Sequence, residues 1–186
     1  MEKKTIVGLI AIVAVAAVLI FAGALYTEEK PPASVSTQES VSTQDLEFLK
    51  WASETSENET SECLAAYEAD LLVCLDMWRN ERDIQRKEEL LDRVEFHADR
   101  LYDDAKKALD EIDQFSVSPK LQPCKDEYKL ALQDLMAFAY FAGLGVRTND
   151  PDDMKIADEY FESSKEHFES SYEHFESFES SMLGAF

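Results

Sequence analysis

Two histidines, His167 and His174, each stand beside a glutamate in the repetitive stretch FESSKEHFESSYEHFESFESS at 161–181. Imidazole next to carboxylate is the raw material of a metal site. The spacing argues otherwise. A helical zinc pair wants His-x-x-x-His, with both rings on one face a turn apart, whereas these two sit two turns apart, about 10.5 Å along a helix axis. The Glu-x-x-His of carboxylate-bridged iron bundles is missing too: the residues three positions before His97, His167 and His174 are Val94, Ser164 and Ser171. The three histidines are read as structural or solvent-facing, and no metal or other cofactor is expected.

Other chemistry is equally sparse. The chain carries no nucleophile elbow, no phosphate-cradling glycine loop, no paired-cysteine motif and no HExxH. Carboxylates are so abundant that no pair stands out from a solvated helix face. No catalytic residue is assigned, and the chain is not read as an enzyme. Asn58-Glu59-Thr60 is an N-x-[ST] glycan acceptor within the polar run SETSENETSE at 53–62.

Cysteines stand at 63, 74 and 124. Cys63 and Cys74 are about 16 Å apart if one helix carries both, beyond disulfide reach. Cys63 with Cys124 is the preferred bridge, and it needs the turn between the first two helices to centre near Lys87. A turn near Asn80 leaves the pair about 22 Å apart, with buried free thiols the alternative.

These residues must be held by something, and the composition says what. A hydrophobic share of 45% permits a core, while 18 basic against 39 acidic side chains give a net charge of −21. That field disfavours phosphate backbones, so no nucleic-acid partner is expected. The acidity suits a calcium-rich exterior, but no D-x-[DN]-x-[DN]-G loop occurs, and NDPDD at 149–153 reads instead as a helix start capped by Asp150.

From Thr5 to Tyr26 there is no charged residue, and Lys3 and Lys4 precede the stretch. Such a run is long enough to cross a bilayer, with the N-terminus cytoplasmic and the rest outside. The alternative is a secreted chain cleaved near Ala24, where Ala22-Gly23-Ala24 offers a signal-peptidase pattern. Residues 1–26 are thus read as a signal-anchor and 27–44, with SVSTQE nearly duplicated as SVSTQD, as a disordered Ser/Thr/Pro spacer.

Residues 45–186 are expected to be all-α, because glycine and proline are confined to a few boundaries and no strand-like alternation persists. Helices are expected near 45–80, 83–116, 122–147 and 151–183, as an up-down-up-down four-helix bundle. The first is weakened by the run at 53–62. A three-helix bundle is the alternative, since WRNERDIQRKEE at 78–89 has no glycine or proline and could carry one long helix across.

The second helix shows a seam through Ile84, Leu91, Val94, Ala98, Leu101, Ala105, Ala108, Ile112 and Phe115, interrupted at Lys87. The stretch 130–146 is apolar almost all round and is expected to be the most buried, closed by Gly143, Gly145 and TNDP. In the last helix Met154, Phe161, Phe168, Phe175 and Met182 share one heptad position, and Ala157, Ser164, Ser171 and Phe178 the other. Trp51, Trp78, Tyr67, Tyr102 and Tyr128 are read as core.

The functional expectation is a single-pass, membrane-tethered extracytoplasmic helical module. It would meet a protein partner outside the membrane, as an interaction or structural element of the cell envelope or a membrane assembly. The second reading is a ligand-binding or sensory bundle with a pocket lined by the aromatics at 138–141, acting through a membrane partner.

Overall fold

The computed structural model describes residues 42–56 and 64–183. The apolar stretch at 5–26, most of the spacer, Asn58 and Cys63 lie outside them. Among the described residues there are five helices: α1 Thr43–Ser56, α2 Leu64–Asn80, α3 Ile84–Ile112, α4 Gln122–Thr148 and α5 Pro151–Leu183. There is no strand among the described residues, which form an all-helical bundle.

Each start has a chemical cause. The letters STQD, which the sequence reading leaves mostly in the spacer, are a capping box. Asp45 N–H donates to Ser42 Oγ at 3.0 Å, and Ser42 N–H donates back to the Asp45 carboxylate at 3.3 Å. The other Asp45 oxygen accepts from Ser118 N–H at 2.7 Å, so this buried carboxylate also ties α1 to the α3–α4 loop.

The first turn falls at 81–83, so α2 and α3 are separate helices and the long-helix alternative is corrected. Polar caps do what glycine and proline do elsewhere. Asp83 accepts from Gln85 and Arg86 N–H, and the Glu81 carboxylate accepts from Arg82 and Asp83 N–H. At the far end Pro123 lies in the first turn of α4, and Asp150 caps α5 by accepting from Asp152 N–H at 2.8 Å.

α3, α4 and α5 pack antiparallel in succession. Across α4 and α5 the pairs Glu127–His167, Asp134–Ser163 and Phe138–Phe161 run in opposite chain directions. Glu95–Arg147 and Asp113–Lys129 do the same for α3 and α4. The heptad in α5 holds: Met154, Phe161, Phe168 and Phe175 are buried, as are Ala157, Ser164, Ser171 and Phe178. Each buried ring contributes roughly 1.5–3 kcal/mol of transfer free energy.

The α3 seam holds from Val94 onward, but its start does not. Ile84 is 76% exposed and Leu90 is buried in its place. Ile84 is the first helical residue, beyond the reach of a neighbouring helix. Lys87, the apparent interruption, lays its ammonium over the Trp78 ring at 4.1 Å, so its stem covers the end of α2.

α4 is also less enclosed than its sequence implies, for Leu130 and Tyr140 are 41% and 55% exposed. Nor do its glycines end it. Asn149 takes the left-handed conformation at φ 53°, while Gly145 and Gly143 lie inside the helix. Gly145 is required by proximity: a Cβ there would stand 2.9 Å from the Met154 side chain and 3.0 Å from its backbone nitrogen. At Gly143 the nearest foreign atom is Ala98 Cβ at an ordinary 3.5 Å. Gly145→Ala is therefore expected to destabilise by about 1–3 kcal/mol. Gly143→Ala should be neutral or stabilising by up to about 1 kcal/mol through helix propensity. Urea midpoints of the two variants check the contrast.

Candidate functional site

The last helix presents Ser163 and His167, one turn apart, to α4, which answers with Glu127 and Asp134, two turns apart. His167 Nδ1–H donates to Glu127 Oε2 at 2.7 Å, and its Nε2 stands 3.8 Å from Asp134 Oδ2. Ser163 Oγ donates to the same Asp134 oxygen at 2.5 Å. Four chemistry-bearing side chains thus converge between two helices of the bundle, all half-buried.

Its wiring limits what it can do. The Ser163 hydroxyl is turned to the Asp134 carboxylate and not to the imidazole, so the Ser–His pair of a hydrolase nucleophile is not formed here. Among the described residues no group of three or more His, Cys, Asp or Glu side chains is arranged to hold a metal ion. The arrangement is a polar lock between α4 and α5. Its partly solvated polar contacts contribute at most about 1 kcal/mol each.

No family model, curated protein or solved structure matches this chain. The site must be read from its own geometry.

The other histidines are apart from this cluster and from each other. His174 is exposed on α5. His97 sits edge-on to Phe96 and near Tyr67, with Nδ1 3.9 Å from an Asp70 oxygen and no hydrogen-bond partner among the described residues. Sequence reasoning found His167 but missed Glu127, Asp134 and Ser163. The signal was the seven-residue step from Glu127 to Asp134, hidden among many other acids.

Asn58 and Cys63 lie outside the described residues, so the glycan and the Cys63–Cys124 pairing remain expectations from sequence. The first turn falls at 81–83, not near Lys87 as that pairing is expected to need. Cys74 and Cys124 are buried and form no disulfide among the described residues. Cys124 Sγ lies 3.4 Å from Ser171 Oγ, whose hydroxyl donates to the Cys124 carbonyl at 2.9 Å.

Burial pushes the Cys124 thiol up to about 11, opposed only in part by the Ser171 contact. Burial also raises Cys74, with Arg93 opposing. In native protein at pH 8, iodoacetamide is expected to label both at least about a hundredfold more slowly than an exposed thiol. Residue-resolved mass spectrometry checks this.

Trp51, Trp78, Tyr67, Tyr102 and Tyr128 are core or packed against it. Phe48, Trp51, Phe115, Tyr128 and Phe168 form one chain of ring contacts, and Trp51 Nε1–H donates to Glu111 at 2.9 Å. Tyr128 O–H donates to the Ala52 carbonyl at 3.2 Å. A cavity of about 20 Å³ remains between these rings and Ser171, room for roughly one water.

Proposed function

We propose that this chain is a membrane-tethered extracytoplasmic helical module whose role is interaction or structure, not catalysis. Residues 5–26 would span the bilayer and the Ser/Thr/Pro stretch would hold the bundle off its surface. α1 and α2 would act as one interrupted column, giving four columns that run up, down, up and down.

The observation that carries the interaction reading is the filled interior. Phe138 lies 5.1 Å from Phe161, and Phe141 stacks on Tyr160 at 5.7 Å. Of the aromatics expected to line a ligand pocket at 138–141, Phe138 and Phe141 are thus engaged with α5 and Tyr140 is exposed, and the ring-lined cavity near Ser171 is far below the roughly 300–1,000 Å³ of a small-molecule site. What remains available for recognition is the outer surface.

No helix among the described residues is long and apolar enough to cross a membrane, and the tether rests on the charge-free run from Thr5 to Tyr26. Chemical cross-linking in native membranes tests the module. Covalent adducts heavier than the chain are expected, and recovery of uncross-linked monomer alone would count against it.

A further inference from the structure

α1 is held to the bundle differently from the other helices. The backbones of α3, α4 and α5 lie close along their lengths, whereas the backbone of α1 scarcely approaches any of them, or α2. It stands off on rings: Phe48 and Trp51 meet Phe115 at 5.9 and 5.2 Å, and Trp51 meets Tyr128 at 5.8 Å. The apolar side chains that α1 buries are Phe48, Leu49 and Ala52, while α4 buries residues from Cys124 to Val146.

Polar ties complete the attachment. Asp45 accepts from Ser118 N–H at 2.7 Å, Trp51 donates to Glu111 at 2.9 Å, and Tyr128 O–H donates to the Ala52 carbonyl at 3.2 Å. The seam between them is not filled, since the cavity of about 20 Å³ has Phe48, Leu49 and Ala52 on one side and Cys124, Tyr128 and Phe175 on the other.

We propose that α1 is a strap: it lifts from the bundle as a unit while α3, α4 and α5 stay folded, and in lifting it opens an apolar groove floored by Cys124, Tyr128 and Phe175. Fourteen residues make a marginal helix in water on their own, so α1 either docks or melts whole. What it leaves behind keeps its own contacts. Tyr128 meets Phe168 at 5.4 Å, Phe138 meets Phe161 at 5.1 Å, and Ser171 donates to the Cys124 carbonyl, all joining α4 to α5 without α1. Elements with few buried apolar contacts open at a free energy well below that of global unfolding.

The closed bundle offers a partner only its outer surface, and the strap decides whether a ring-lined groove is offered as well. α1 is also the first of the described helices, so a pull on the chain before it bears on the strap before any other element. The inference goes beyond the interaction reading, and it stands whether or not residues 5–26 span a bilayer.

Thiol labelling of the full chain, reduced beforehand, tests it, with iodoacetamide at pH 8 and residue-resolved mass spectrometry. Cys124 lies beneath α1, and Cys74, buried on α2, is the internal control. Asp45→Ala removes both the helix cap and the tie to Ser118, and should speed labelling of Cys124 at least tenfold, with Cys74 changed less than twofold. Asp45→Asn, which keeps one acceptor oxygen, should lie between. In the unaltered chain the logarithm of the Cys124 rate should rise with urea less than half as steeply as that of Cys74, because the slope follows the surface exposed on opening. Equal acceleration of both thiols by Asp45→Ala, acceleration of neither, or equal urea slopes would each overturn the inference. Should the alanine variant not fold, the urea slopes of the unaltered chain decide alone.

Discussion

Replacing Phe138 by alanine is expected to cost about 3–5 kcal/mol and to lower the melting temperature by about 10 °C or more. The ring is fully buried in α4 and meets Phe161 of α5 at 5.1 Å with a 45° tilt. Truncation removes its transfer free energy and leaves a hole that two helices held at fixed separation cannot close. Phe96→Ala is the control. That ring is 53% exposed, with the Arg100 guanidinium 5.6 Å above it, and its loss should stay within roughly 0.5 kcal/mol. Differential scanning calorimetry of the two variants separates them. Similar small losses would mean that the interior is not specifically packed.

The second large effect is on pH dependence. Glu68 on α2 is only partly covered by surface area, yet burial of its carboxyl lifts it from an ordinary 4.5 to about 7, with Lys165 of α5 opposing. The sign follows from proton counting. Between 4.5 and about 7 the folded protein holds a proton that the unfolded chain has released, so stability falls as pH rises through that window. The cost is absent below the ordinary carboxylate range and fully felt above about 7. At about 1.4 kcal/mol per pH unit, discounted for the partial exposure, the swing is roughly 2–3 kcal/mol. Glu68→Gln should match wild type near pH 4 and exceed it by about 2 kcal/mol near pH 8. Urea titrations across the range measure it, and parallel curves for the two proteins would remove the assignment.

Much of the bundle was legible because α5 repeats on a strict heptad. Large and small residues at fixed spacing left one face to bury, and Phe161, Phe168, Phe175, Ser164 and Ser171 are all inside. The turn at 81–83 was harder, because Glu81, Asn80 and Asp83 terminate helices with side-chain hydrogen bonds, and such residues also occur within helices. Ser42 and Asp45 were hidden in the same way, inside a duplicated polar hexapeptide. The α3 seam slipped at its first turn because hydrophobic spacing alone does not show where the neighbouring helix stops. The apolar letters of α4 pointed to enclosure on all sides, whereas the described bundle leaves Leu130 and Tyr140 exposed. The candidate lock at His167 was half visible: the histidine stands out among the glutamates, but its partners on α4 come from tertiary pairing.

The account as a whole depends on which side of a membrane the bundle occupies. Protease added to intact cells, with residues 45–186 followed by antibody, is the most direct measurement. The account predicts digestion of that region in intact cells, as in lysed ones. A bundle untouched in intact cells and lost only after lysis would place it inside and contradict the topology on which the envelope reading and the glycan at Asn58 both rest.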